Sequence, residues 1–285
     1  GDLTLGGNVT NSGTITLDGS GTGCGGTDSI AITSTAGTRT WTNSGSLTLQ
    51  DVTASNMANA SITAYNSTNG GSSTWVFNAA CIGNISGTCY TDEGVTTMGA
   101  GRTVRIKVNG AGTFSATTAA NGTYTVPAVT SAPLDNMTVY LDGASEKAVT
   151  VTLATGGTQS GMDLYQNFVI TKTNSIGTIA NTGLDYWDSS SDGDIQYAVD
   201  GSQNLTVASG NTLLVNGNGT YAPGAGITTP GFKQTAATFN GGSSDMTITG
   251  TFRVSGGTFN STSGILLMDD AASYGTLEYQ SDLHL

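Results

Sequence analysis

Short stretches in which apolar residues alternate with Thr or Ala recur through the first 80 residues. They occupy residues 3–5, 15–17, 30–32, 47–49 and 62–64, with starts 12, 15, 17 and 15 residues apart and with Gly, Asn and Ser between them. Alternation of this kind predicts half-buried strands. Antiparallel sandwiches also give short strands between turns, but the wide spacing and the near-identical phrases favour a β-solenoid, a parallel β-helix in which successive turns of the chain stack.

The pattern changes between residues 89 and 153. Residues 104–108 alternate strictly, and further short strands are predicted near residues 114, 124–126, 137–141 and 148–153. The dipeptides Asn109-Gly110, Asn121-Gly122 and Asp142-Gly143 are typical of tight hairpin turns. Short strands joined by tight turns over about 60 residues predict a small antiparallel β-sandwich.

The first pattern returns after residue 154. Strands are predicted at residues 168–170, 195–197, 205–207, 213–215, 246–248, 252–254 and 265–268, and the phrase at 252–262 is similar to that at 3–13. The sequence therefore predicts an all-β protein in three parts. Residues 1–88 and 154–285 form the β-solenoid, and residues 89–153 form a β-sandwich that interrupts it.

Two parts of the chain resemble known families. Residues 90–110, 120–126 and 138–143 resemble the Ig-like, carboxypeptidase-regulatory or Cna-B-type modules of bacterial surface proteins. The flanking repeats resemble the parallel β-helix repeats of bacterial surface and filamentous adhesins. The resemblance implies an Ig-like insertion, a secreted or cell-surface location and a structural role, and it brings no catalytic residues with it.

The low charge content and the negative net charge argue against two classes of binding partner. Only 10% of the residues are charged, the net charge is −12 and the isoelectric point is near 4.1. Nucleic acids and anionic membrane surfaces bind basic patches, so neither is an expected partner. No apolar run reaches the roughly 18 residues of a membrane-spanning helix, so no membrane insertion is expected.

The three cysteines fit an extracellular location. Cys81 and Cys89 bracket a segment that reads as turn-rich, and a disulfide closing this loop suits an oxidising environment. Cys24 is left over, either free or paired with one of the other two. No histidine is near them, which argues against zinc.

An acidic loop is the sharpest candidate for a metal site. Asp188, Ser190 and Asp192 place oxygens at alternate positions ahead of Gly193, and Asp194 follows, as in a calcium-binding loop. The position of the closing bidentate Glu is taken by Val199. The alternative is an acidic, solvated turn. Calcium, if bound, would be structural.

Tyr186 and Trp187 stand beside this loop and are candidates for a glycan-binding pair. A polysaccharide-cleaving enzyme is the less favoured alternative, because it needs paired carboxylates or a carboxylate with a basic residue. Its candidate acids are Asp185, Asp188, Asp192, Asp194, Asp269 and Asp270, and no basic residue is close to them in sequence. We therefore expect no enzymatic activity.

Apolar strands at both ends of the chain, at residues 3–5 and at 277–285, lack polar caps. Uncapped solenoid ends invite pairing, and a head-to-tail contact that does not close produces a filament. The expected partner is another copy of the chain, end to end, with a glycan or host surface as the alternative. The expected function is a subunit of a surface fibre or sheath, or a segment of a long fibrous adhesin.

Overall fold

The computed structural model describes residues 1–19, 29–261, 264–268, 277–279 and 283–284, the last two stretches by their backbone only. About half of the chain is strand and 2% is helix. The predicted all-β class is confirmed. None of the helical segments in these ranges has the length and apolar character needed to cross a lipid bilayer.

The chain divides into two compact units. The first comprises Gly1–Asn84, Ala128–Pro133 and Thr155–Thr158, and the second comprises Ile85–Pro127, Leu134–Ala154 and Gln159–Leu285. These bounds differ from the predicted divisions at residues 88 and 153. The physical reason is that one strand, Cys81–Tyr90, crosses the first predicted boundary and one continuous sheet crosses the second.

Eleven short strands are described in the first unit before residue 81. They are β1 (Leu3–Leu5), β2 (Val9–Asn11), β3 (Thr14–Asp18), β4 (Ile30–Ser34), β5 (Arg39–Asn43), β6 (Ser46–Gln50), β7 (Val52–Ser55), β8 (Met57–Ala58), β9 (Thr63–Tyr65), β10 (Thr68–Gly71) and β11 (Val76–Asn78). All of their pairings are parallel, in the sheet orders β1-β4-β7-β10, β2-β5-β8 and β3-β6-β9-β11. Each sheet thus takes its strands in chain order, one from each successive repeat.

The turns of the first unit stack as well as its strands. The Asn-Ser-Gly phrases at 11–13 and 43–45 lie one above the other, and Asn11 Nδ2 donates to Asn43 Oδ1 at 2.6 Å. The backbone N–H of Ser46 donates to the carbonyl of Gly13 at 2.8 Å. Inside the strands, Ile32, Trp41 and Leu49 are buried with at most 1% of their surface exposed, which explains why alternation marks these strands in the sequence.

The remaining strands begin at Cys81. They are β12 (Cys81–Tyr90), β13 (Thr103–Val108), β14 (Ala111–Thr117), β15 (Thr123–Ser131), β16 (Asn136–Asp142), β17 (Val149–Leu153), β18 (Leu164–Tyr165), β19 (Phe168–Thr173), β20 (Thr178–Ile179), β21 (Tyr197–Val199), β22 (Leu205–Val207), β23 (Thr212–Gly217), β24 (Thr220–Tyr221), β25 (Ile227–Thr229), β26 (Gly231–Gln234), β27 (Thr238–Asn240), β28 (Met246–Ile248), β29 (Phe252–Val254), β30 (Thr258–Asn260), β31 (Leu266–Met268), β32 (Leu277–Tyr279) and β33 (Leu283–His284). One short helix, α1 (Asn181–Leu184), lies between β20 and β21.

A nine-stranded sheet joins the predicted insertion to the later repeats. Its order is β14-β13-β16-β17-β19-β23-β26-β29-β32, antiparallel from β14 to β17 and parallel from β17 onward. The antiparallel strands predicted between residues 89 and 153 are therefore present. They do not stand apart as a separate module, because β17 pairs in register with β19.

Strands β16 and β17 are buried on both faces. Tyr140, Val149 and Val151 belong to the core shared with the later repeats, whereas Met137 and Val139 alternate with them and are also fully buried. A strand that is buried on both faces has an almost unbroken run of buried residues, which is the pattern of a central strand in a sheet.

Two further parallel sheets complete the later repeats, with the orders β20-β24-β27-β30-β33 and β22-β25-β28-β31, and β21 pairs antiparallel with β22 at the edge of the second. Aromatic side chains stack between successive repeats. The Phe239 and Phe259 rings lie 4.9 Å apart at 11°, and the Phe232 and Phe252 rings lie 5.3 Å apart at 14°. Equivalent positions of neighbouring repeats thus carry the same ring in the same place.

Candidate functional site

The acidic loop begins from the buried helix α1. Asn181 is fully buried, and its Nδ2 donates to the carbonyl of Gln203 at 2.8 Å and to that of Gly226 at 3.2 Å. Its Oδ1 accepts the Tyr221 hydroxyl at 2.6 Å. These bonds fix the start of the loop to the strands that follow it.

Asp188 closes the acidic loop on itself. Its side chain is 3% exposed, and Oδ1 accepts from the backbone N–H of Ser190 at 2.9 Å and from the Ser190 hydroxyl at 2.6 Å. Oδ2 accepts from the backbone N–H of Val199 at 2.9 Å. The residue in the place of a closing calcium ligand therefore contributes a donor, and Asp188 is the acceptor.

The other two carboxylates of the loop have different partners. Asp192 Oδ1 accepts from the N–H of Asp194 at 3.0 Å, and its Oδ2 accepts the Tyr140 hydroxyl at 2.8 Å. Asp194 forms an ion pair with Lys147 and also accepts from the N–H of Gly143 at 2.5 Å. Burial acts to raise the pKa of Asp194, but the hydrogen bonds from Lys147 and Gly143 outweigh it and hold the pKa below its ordinary value.

The predicted calcium ligands do not converge. Both oxygens of Asp188, Asp192 and Asp194 already accept protein donors, and Ser190 donates to Asp188. In the described part of the chain, no three carboxylate, histidine or cysteine side chains come together to hold a metal ion. In a calcium-binding loop these side-chain oxygens would bind the ion. Here they accept hydrogen bonds from N–H and hydroxyl groups, and these bonds stabilise the loop.

One candidate acid, Asp194, has a basic partner that is distant in sequence. Lys147 pairs with Asp194 across 47 positions, and Arg105 pairs with Asp142 at 2.7 Å. Asp185 Oδ2 accepts from Gln203 Nε2 at 3.1 Å. The other two candidate acids of the enzymatic alternative, at positions 269 and 270, lie outside the described residues.

The side chains of the two aromatic residues beside the loop have different surroundings. Trp187 is half-buried and packs against the core of the later repeats, and Lys107 Nζ lies 4.2 Å from the centroid of its ring, a cation–π contact. Tyr186 points outward with 51% of its surface exposed. The predicted glycan-binding pair is therefore not a shared platform, because only Tyr186 presents its ring to solvent.

Tyr186 borders a surface groove of about 380 Å³. The groove is lined chiefly by Tyr186, Leu134, Ile176, Asn136, Thr178 and Thr182. The sequence patterns did not indicate Leu134 or Ile176, since each is a single apolar residue in a stretch without alternation. Their position next to Pro133 and Gly177 is the one signal that could have pointed to an exposed loop.

The cysteines do not pair as predicted. Cys89 is free and buried, and burial, with a smaller contribution from Asp163, raises the pKa of its thiol to about 12. Cys81 is disulfide-bonded, and Cys24 lies outside the described residues. The predicted Cys81–Cys89 disulfide was wrong because both residues belong to one extended strand, β12, in which eight steps of about 3.3 Å place their Cα atoms about 26 Å apart. Disulfides need Cα atoms within about 7 Å.

The first strand set is a second candidate site, this one for association. In the described residues, β1, β2 and β3 are each paired on one side only. Leu3, Val9 and Ile15 are only half-buried, whereas Ile32 and Trp41, which stand opposite Leu3 and Val9 in the next strands, are at most 1% exposed. We call this surface, formed by β1, β2 and β3, the open edge.

No protein-family model, curated protein or solved structure matches the chain.

Proposed function

We propose that the chain is an extracellular structural protein, a subunit of a surface fibre or a segment of a long fibrous adhesin. In this proposal the parallel ladders of each unit form a β-solenoid, and the open edge stacks on another copy of the chain. The antiparallel strands β13, β14, β16 and β17 correspond to the predicted Ig-like strands, and their sheet continues into the later repeats through the pairing of β17 with β19. The protein acts through this stacking and not through catalysis.

The in-register ladders support the solenoid. Three parallel sheets in the first unit each take one strand from every repeat, and the Asn-Ser-Gly turns stack with them. The stacked Phe pairs repeat this arrangement in the second unit. Repeat proteins gain much of their stability from such contacts between neighbouring repeats, so an uncovered repeat is a site for further stacking.

The open edge is the observation that carries the proposal. Among the described residues, no strand pairs with the outer N–H and C=O groups of β1, β2 and β3, and the apolar side chains of these strands keep part of their surface in water. A parallel strand set from another copy would cover both. Because the open edge of one copy would meet a different surface of the next copy, repeating this contact gives a filament.

The extracellular location rests on separate observations. Cys81 is disulfide-bonded, and disulfides persist in oxidising compartments. The low charge content and the resemblance to adhesin repeats agree with this location.

A substitution at the open edge tests the proposal. We expect wild type to form linear assemblies that lengthen with concentration in negative-stain electron microscopy and sedimentation velocity. Val9→Lys places an ammonium group on the half-buried face of β2 and should abolish them. Val95→Lys is the matched control, because Val95 is 84% exposed and far from the open edge in sequence. It should assemble as wild type does.

Thermal unfolding of the monomer keeps this test interpretable. Val9→Lys should retain a cooperative transition, since Val9 is at the edge of its core and not in the centre. A wild-type protein that stays monomeric at every concentration would contradict the proposal. Equal assembly of Val9→Lys and Val95→Lys would contradict it as well.

A further inference from the structure

Three large apolar side chains are exposed around one groove in the second unit. Tyr186 is 51% exposed, Leu134 is 53% exposed and Ile176 is 40% exposed, and all three line the groove beside α1. Seven large apolar side chains are exposed to this degree among the described residues, so nearly half of them meet at one place. Exposed apolar groups that gather in a concave site indicate a binding surface more strongly than single ones do.

The backbone around the groove is held in position. Leu134 has a φ of 73°, a conformation that a branched residue rarely adopts, and its N–H donates to the carbonyl of Ala154 at 2.9 Å. Such strain persists where the surroundings impose it, and it is common at binding sites. The backbone of Tyr186 is also held, because the Asn109-Gly110 turn packs so closely on the Tyr186 carbonyl that a Cβ at Gly110 would not fit.

Two glycines keep the groove open. A Cβ at Gly177 would lie 2.7 Å from Leu134 Cδ2 and 2.8 Å from Leu153 Cδ1. A Cβ at Gly183 would overlap the Asn136 side-chain amide. A side chain at either position would therefore displace residues that line the groove.

The chemistry of the lining selects the ligand class. None of the lining residues is Asp, Glu, Lys, Arg or His, although the whole chain carries a net charge of −12. The polar groups are the Asn136 amide and the hydroxyls of Thr178, Thr182 and Tyr186. A neutral lining of this kind gives a charged ligand no partner, whereas it offers hydrogen bonds to neutral hydroxyl and amide groups.

An exposed phenol ring beside hydroxyl and amide groups fits a sugar. One face of a pyranose ring carries C–H groups that pack on an aromatic ring, and its rim carries hydroxyls that hydrogen-bond. We propose that the groove lined by Tyr186, Leu134, Ile176 and Asn136 binds a neutral saccharide. This function is additional to the stacking of copies, and Trp187 does not take part.

Isothermal titration with defined oligosaccharides tests the assignment. The probes are cellohexaose, maltohexaose and fully N-acetylated chitohexaose, with a sulfated heparin hexasaccharide as the charged comparison. We expect at least one neutral probe to bind and the sulfated probe not to. Tyr186→Ala should weaken that binding about tenfold or more, whereas Tyr186→Phe, which keeps the ring, should stay within about threefold of wild type. Val95→Ala removes an exposed apolar side chain elsewhere and should bind as wild type does.

Each contrary result is decisive. The assignment fails if no neutral probe binds, if the sulfated probe binds more tightly, or if Tyr186→Ala binds as wild type does with an unchanged unfolding temperature. It also fails if Tyr186→Ala changes association between copies and not sugar binding, since the groove would then be a protein interface. A loss of sugar binding with normal filaments would support it.

Discussion

At the residue scale, the acidic loop shows how a ligand-like pattern can become a structural turn. Alternate oxygens at Asp188, Ser190 and Asp192 predict a cation site, but these oxygens accept N–H and O–H groups of the loop and its neighbours. Side-chain oxygens that bind local backbone donors are the common means by which Asp and Ser stabilise turns.

Asp188→Ala should destabilise the protein. It removes the acceptor for three donors, and the Val199 N–H would be left buried without that partner. We expect the free energy of unfolding to fall by about 2 kcal/mol, because buried donors that lose a charged acceptor are strongly penalised. Urea denaturation measures this loss. Ser190→Ala is the control, since it removes only one of the three donors and should lower the free energy by less than about 1 kcal/mol. Equal losses in the two variants would contradict this reading of the loop.

The aromatic pair beside the loop marks a limit of sequence reasoning at this scale. Adjacent residues on an irregular segment can point in opposite directions, so the sequence could indicate Tyr186 and Trp187 but could not show which one is exposed. The same limit applies to Leu134, since the other two exposed apolar residues of the groove, Ile176 and Tyr186, lie 42 and 52 positions later in the chain.

At the scale of the element, alternation was a reliable guide. Strand β13 (Thr103–Val108) covers the predicted stretch 104–108, and its Val104, Ile106 and Val108 are buried as the alternation requires. The segment 81–89 failed because its Gly and Ser residues read as a turn, whereas they lie within the ten-residue strand β12. Gly in a strand indicates close approach of another backbone, and a Cβ at Gly87 would overlap the Met162 backbone.

Where turns stack closely, replacing a glycine should destabilise the protein. A Cβ at Gly45 would overlap the Gly13 carbonyl of the turn beneath it. We expect Gly45→Ala to lower the free energy of unfolding by about 2 kcal/mol, because the two turns must separate. Gly7→Ala is the matched control, since nothing lies within 4 Å of its Cβ position. It should change the free energy by less than about 0.5 kcal/mol in the same urea titration. A tolerated Gly45→Ala would show that the turns do not stack as described.

At the scale of the whole molecule, the sequence predicted the all-β class but not how the sheets join. Hairpin turns such as Asn109-Gly110 indicate antiparallel neighbours that are close in sequence. Nothing local indicates that β17 pairs with β19, because that contact depends on the position of the strands in three dimensions. The division at residue 153 therefore cuts a sheet that is continuous.

Two carboxyl groups with lowered pKa values predict that the protein loses stability in acid. The hydrogen bonds from Arg102 lower the pKa of Glu146 to about 2, and the pKa of Asp194 is also held low. A carboxylate whose pKa is lower in the folded state adds stability above its unfolded pKa, and that stability is lost as pH falls through the folded value. The unfolding midpoint in urea should thus decrease between about pH 4.5 and pH 2.

Arg102→Met isolates the contribution of Glu146. It removes the 2.5 Å ion pair, so the Glu146 pKa should return toward its ordinary value and the decrease with acid should become shallower. Lys172→Met is the control, because the Lys172 ammonium donates to the carbonyl of Gly161. It loses the same charge, and its pH profile should keep the wild-type slope. Identical slopes for all three proteins would show that the Arg102–Glu146 pair does not contribute.

The course of the chain through its two units has a consequence for recombination and protein engineering. The segments Ala128–Pro133 and Thr155–Thr158 belong to the first unit, although the residues on either side of them belong to the second. No single cut separates the two units, so the protein cannot be divided or exchanged at one junction as a string of modules can. A gene fragment that ends between residues 85 and 158 would divide at least one of the two units, and a donor sequence grafted over this stretch would have to match residues of both units.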